Sequence, residues 1–86
     1  MIDLATVAVI GQLNDLARDY DSEGDAAARQ RDMVAAVEFG QAASTLRLVG
    51  VLIRDETDGY DAAYGRVWLG AGRRLLFALT DRRINA

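Results

Sequence analysis

The chain has 86 residues and a formal net charge of −3; all ten of its basic residues are arginine, and it has no lysine, histidine, cysteine or proline. Without cysteine or histidine there is no disulfide framework and no thiolate or imidazole ligand for a zinc site. A chain this short supports a single domain, 1–86, and buries only roughly 60–65% of its unfolded surface, so a partner chain is an expected source of stability.

Ile2, Thr6, Val9, Leu13, Leu16 and Tyr20 recur at spacings of 4, 3, 4, 3 and 4. That is a heptad seam, widened by Ala5, Ile10 and Ala17, and it predicts an amphipathic helix over about 2–20. The acidic run 19–25 follows, with Gly24 as the expected breaker and Ser22 or Asp21 as the expected cap of the next helix.

Residues 25–55 read as a second helix with a break available near Gly40, where an interior glycine costs about 1 kcal/mol relative to alanine. This segment has two apolar faces. One holds Met33, Val34, Val37, Leu48, Val51 and Leu52; the other holds Ala35, Phe39, Ala42, Leu46, Val49 and Ile53. Ala36, Gly40, Ala43 and Gly50 form a stripe of small residues between them. A helix apolar on most sides needs neighbours on more than one side.

A second acidic run, 55–61, offers Thr57 or Asp58 as a cap. A third helix is predicted over about 59–81, with Tyr60, Tyr64, Val67, Trp68, Ala71, Leu75, Ala78 and Leu79 on one face and Phe77 almost opposite. The predicted fold is therefore all-α, three helices forming a bundle by self-association. The alternative is an α+β domain with two helices and a C-terminal meander, because Thr45 to Arg54 also alternates and 70–72 can turn a hairpin.

Two features invite a ligand. Asp19, Asp21, Glu23 and Gly24 fall at positions 1, 3, 5 and 6 of a pattern that resembles an EF-hand calcium loop. Position 12 is Gln30, however, so the bidentate glutamate is missing, and a solvated, helix-capping linker is the plainer reading. The other feature is charge. Residues 1–64 carry twelve acids and five arginines, a net −7, and residues 65–86 carry five arginines and one acid, a net +4. Arg66, Arg73, Arg74, Arg82 and Arg83 suit an acidic partner or phosphate, either an acidic segment of this chain or a neighbouring copy.

General acid–base or nucleophilic chemistry finds few candidates here. The carboxylates lie mainly in links where solvent keeps their pKa values ordinary, and no lysine-bearing phosphate loop occurs. The expectation is a non-enzymatic helical protein with no cofactor and no metal, acting through protein–protein contacts. A homodimer is favoured, with Met33, Val37, Gly40, Leu48, Val51, Trp68 and Phe77 as the interface. The lysine-free, alanine-rich composition fits an accessory or inhibitor protein of a GC-rich bacterium or its phage. The runner-up is a nucleic-acid-binding regulator using the C-terminal arginines. No run of 18 apolar residues occurs, and Asp3 stands where a signal peptide is basic, so no membrane partner and a cytoplasmic setting are expected.

Overall fold

A computed structural model describes residues 2–84. Three α-helices follow one another: α1 Leu4–Arg29, α2 Met33–Arg54 and α3 Ala62–Ile84. They form an all-helical bundle with no strand among the described residues. The alternating pattern of Thr45 to Arg54 is thus helix, as are 66–69 and 74–80, and the meander alternative falls. The three helices close around one core within a single chain.

The first helix runs nine residues further than its predicted end at residue 20. Its seam continues through the acidic run: Val9, Leu13, Leu16 and Tyr20 are buried, and so are Gly24 and Ala27. Gly24 is not a breaker. A Cβ there would sit 3.3 Å from the Phe39 Cβ, so the missing side chain lets α2 lie close against α1.

The stop comes at Gln30–Asp32, where Arg31 adopts φ 61°. The Arg31 N–H donates to the Ala28 carbonyl at 3.0 Å and the Asp32 N–H to the Ala27 carbonyl at 2.9 Å, the paired bonds of a Schellman motif. The same motif ends α2. There Glu56 has φ 56° and donates to Ile53 at 3.1 Å, while the Thr57 N–H donates to Leu52 at 3.0 Å. Neither motif uses the usual glycine, which is why the sequence does not announce them. The caps are aspartates at each start: Asp3 accepts from the Thr6 N–H, Asp32 from Ala35 and Asp61 from Tyr64, at 2.8, 3.1 and 2.9 Å. They replace the expected Ser22 or Asp21 and Thr57 or Asp58. Gly40 sits inside an unbroken α2.

The packing is lopsided. α1 and α2 form a tight antiparallel pair, α3 lies along it chiefly against α1, and the α2–α3 contact is the slimmest. α3 buries Gly65, Leu69, Gly72 and Leu79, with Leu76 and Arg83 half-buried. Residues 65, 69, 72, 76, 79 and 83 repeat at spacings of 4, 3, 4, 3 and 4, a strict heptad seam. This is not the face expected from composition. Val67, Ala71, Leu75 and Ala78 point outward, with Val67 67% and Leu75 47% exposed. The reason is steric. A Cβ at Gly65 would lie 2.5 Å from Val9 Cγ1 and 2.8 Å from Ile53 Cδ1, and one at Gly72 would lie 2.8 Å from Leu16 Cδ2. Backbone, rather than side chains, fills the α1–α2 groove at these two levels.

The molecule is elongated, 44 × 18 × 17 Å, with a radius of gyration of 13.8 Å, against about 12 Å for a typical chain of this length. Its accessible surface is 5561 Å², where a monomer of this mass exposes about 5,000 Å².

These contacts set opposite outcomes for two glycines. Gly65→Ala forces a Cβ into the stiff, β-branched Val9, and overpacking of this kind costs about 1–3 kcal/mol. It outweighs the ~1 kcal/mol of helix propensity gained. Gly11, inside α1 with nothing within 4 Å of its would-be Cβ, receives only the gain. Urea denaturation is expected to show Gly65→Ala less stable than the parent and Gly11→Ala more stable.

Candidate protein interaction surface

The outward side of α2 is apolar toward both ends of the helix. Met33 is 59% exposed, Val34 72%, Val37 56%, Leu48 57% and Val51 38%. Gln41 and Ser44 lie between these two groups, exposed, polar and uncharged. The opposite face, Ala35, Phe39, Leu46, Val49 and Ile53, is in the core. Helical geometry demands this outcome. Residues 33, 37, 44, 48 and 51 project nearly opposite 35, 39, 46 and 53 at 100° per residue, and the bundle interior lies on one side only. Of the residues expected at an interface, Met33, Val37, Leu48 and Val51 are therefore brought together, with Gly40 half-buried beside them.

Trp68 and Phe77 do not join that group. Trp68 is half-buried at the α3 edge of a groove between α2 and α3, about 310 Å³ in volume. Ala42, Thr45 and Leu46 form one wall and Trp68, Ala71 and Leu75 the other, over a floor of Tyr20 and Gly72. Tyr60, just before α3, and Tyr64 and Trp68 on it line up with ring centroids 5.0 and 6.3 Å apart, edge to face. Phe77 is 74% exposed on another side of α3, the side that carries Arg66 and Arg73 at helical spacing. The sequence reading omitted Gln41 and Ser44, which complete the outer stripe of α2. The 3–4 spacing through 34, 37, 41, 44, 48 and 51 was the available signal; two polar residues at its centre hid it from a count of apolar positions.

The basic C-terminal segment meets acids of its own chain, though not those of 55–61. Arg82 pairs with Glu38 at 3.0 Å. Arg83, with a side chain only 16% exposed, lies 3.7 Å from Glu23 and 3.8 Å from Asp32, donates to the Gln30 amide oxygen, and stands 5.9 Å above the Phe39 ring. It fastens the end of α3 to the α1–α2 turn by charge and by a cation–π contact. Arg47 of α2 pairs with Asp21 of α1. Arg66, Arg73 and Arg74 remain exposed. Asp19, Asp21 and Glu23, the acids of the EF-hand-like pattern, lie in the helix α1 rather than in a loop, with Asp21 on the opposite side from Asp19 and Glu23. Among the described residues no cluster of acids is arranged to hold a metal ion.

By length and composition α2 is apolar enough to cross a membrane, although no uninterrupted apolar run reaches 18 residues. Seven of its residues are buried in the bundle, and its two charges away from the ends, Glu38 and Arg47, are paired with the other helices. A core helix of a bundle passes the same test.

Comparisons against models of known protein families, curated proteins and solved structures return no match.

Tyr20 is the one buried titratable side chain beneath the groove. It is fully buried against Phe39, with ring centroids 6.1 Å apart, and its hydroxyl donates to the Gly72 carbonyl. Burial pushes the phenol pKa up. The folded chain therefore keeps this proton while the unfolded chain releases it near pH 10, so stability is full below about pH 10 and falls as pH rises above it. Lacking lysine, cysteine and histidine, the chain has little besides its tyrosines to titrate on the basic side. Tyr20→Phe is expected to lower stability by about 1 kcal/mol at neutral pH, through the lost hydrogen bond, and to flatten the loss above pH 10. Chemical denaturation at pH 7 to 11 measures both.

Proposed function

We propose that this protein is a non-enzymatic helical module that works through protein–protein contact, and that self-association is part of that work. One observation carries the reading. α2 bears apolar side chains on two opposite faces, and the described residues cover one of them. A largely apolar, uncharged stripe running the length of an exposed helix is the kind of surface that marks an interaction site.

A dimer joined through α2 leaves the α2–α3 groove for a second occupant. Its apolar lining suits an apolar segment of another protein, and this supports an accessory or inhibitor role. The nucleic-acid reading loses support, because Arg82 and Arg83 are engaged within the chain and the exposed basic set shrinks to Arg66, Arg73 and Arg74.

Sedimentation equilibrium across the micromolar to sub-millimolar range tests the self-association. The expected result is a mass rising with concentration from 9.3 kDa toward twice that value. A constant 9.3 kDa throughout would contradict it. The Val37→Glu variant is expected to stay monomeric while keeping the parent helical circular dichroism, since Val37 is 56% exposed and holds no core position.

A further inference from the structure

We infer that the outer face of α2 is a two-fold antiparallel dimer seam, its occupant the same face of a second copy of this chain; the inference rests on the self-association proposed above and gives it a register. The seam is Val34, Val37, Gln41, Ser44, Leu48 and Val51, at spacings of 3, 4, 3, 4 and 3, with every member exposed. This is the alternation of a and d positions in a coiled coil, over two and a half heptads. A free-standing coiled coil needs more length. Here α2 is already folded by its inner face, and the seam has only to supply the contact.

The sequence of the seam is self-complementary when reversed. In an antiparallel pair each a position faces a d position of the other helix. Pairing Val34 with Val51, Val37 with Leu48 and Gln41 with Ser44 satisfies that rule at all three levels, and each pair of residue numbers adds to 85. One two-fold axis between residues 42 and 43 therefore generates the whole seam, which is what an isologous contact requires. The outer levels join two branched aliphatic side chains. The central level joins two polar ones, and in this register each Gln41 amide comes opposite the Ser44 hydroxyl of the second copy. Both side chains donate and accept, so each can satisfy the other when water leaves the seam. The level also has room for the amide: Ser44 is small, and nothing lies within 4 Å of a Cβ built at the neighbouring Gly40.

That polar level opposes other registers. A slip of one heptad along α2 would set Gln41 or Ser44 against an aliphatic side chain and leave its polar atoms unpaired in the seam, at a cost of about 1–3 kcal/mol for each buried group. The two symmetry-related Gln41–Ser44 levels at the centre of the seam fix register in the way that polar residues at such positions do.

The charges agree with the register. No seam residue is charged. The arginines that flank the seam on one edge are Arg47 and Arg54. In this register they come opposite Gly40 and Met33 of the second copy, and like charges are held about 10 Å or more apart along the axis at 1.5 Å per residue. On the other edge Glu38 is paired with Arg82 of its own chain and faces Thr45 of the second copy.

The absence of cysteine makes the register directly readable. Val37→Cys and Leu48→Cys chains, one carrying a length tag, are mixed and oxidised, and the products are separated by size. The mixed 37–48 disulfide is expected to dominate. The 37–37 and 48–48 disulfides are expected to be absent, because those positions are about 16 Å apart along the axis, beyond the ~7 Å limit for a disulfide. The Val34→Cys and Val51→Cys pair is expected to behave in the same way. Leu48→Glu is expected to weaken the dimer at least tenfold by sedimentation without loss of helical signal.

Dominant 37–37 bonds would overturn the inference in favour of a parallel pair. A sedimenting dimer that yields neither mixed disulfide would overturn it in favour of another surface, and self-association would stand. A protein that is monomeric at every concentration would overturn both. A monomer that floats with phosphatidylcholine–phosphatidylglycerol vesicles would reassign the face to a lipid surface.

Discussion

The arrangement of this molecule depends on how closely α3 can approach the α1–α2 pair. At positions 65 and 72 there is no room for a side chain, because Val9, Ile53 and Leu16 already fill the space. With glycine at both levels α3 sinks into the groove backbone first, and Leu69, Leu76 and Leu79 reach the core between them. The Tyr20 hydroxyl then finds the Gly72 carbonyl, which satisfies a phenol buried at the centre of the bundle. Arg83, one heptad step beyond Leu79, reaches the acids of the α1–α2 turn. The same rotation of α3 turns Val67, Ala71 and Leu75 outward and leaves its contact with α2 slim.

Because α3 sits mainly on α1, none of the other described residues reaches around α2. The outer side of α2 consequently stays bare, with aliphatic side chains toward both ends and a polar, uncharged centre, and it does so on a rigid helix anchored by seven buried residues. That combination suits recognition. A preformed helix loses little conformational freedom on binding, so a modest apolar seam can be enough. The α2–α3 groove is a second largely apolar surface, lined by residues of both helices. Both surfaces are largely apolar, in keeping with a binding role.

Much of this was legible in the sequence. The seam from Ile2 to Tyr20 foretold α1 and its buried face, and the two apolar faces of α2 were read correctly. The assignment of one face to the interior followed only with the structure. Three features misled, each for a physical reason. Gly24 looked like a helix breaker, yet its missing side chain serves close packing on Phe39. The true stops at Arg31 and Glu56 adopt left-handed backbone without glycine, so local composition carries no mark of them. The buried seam of α3 contains two glycines and an arginine, and it lost on hydrophobicity to the face of Val67, Trp68 and Leu75. Hydrophobicity counts side-chain area, whereas this helix pair selects for its absence. The apparent calcium loop failed for a related reason. Carboxylates at alternate positions converge only if the backbone leaves the helix, and the α1 seam keeps it helical through Ala27.

The central claim is that the outer face of α2 is the surface through which the molecule works, and a dilution series of backbone amide NMR spectra tests it most directly. The account predicts that the amides of Val34, Val37, Gln41, Ser44 and Leu48 move together along one association curve as the protein is diluted, while those of Leu13, Phe39 and Leu69 in the core stay in place. Spectra that do not change with concentration, or changes confined to α1 or α3, would contradict it.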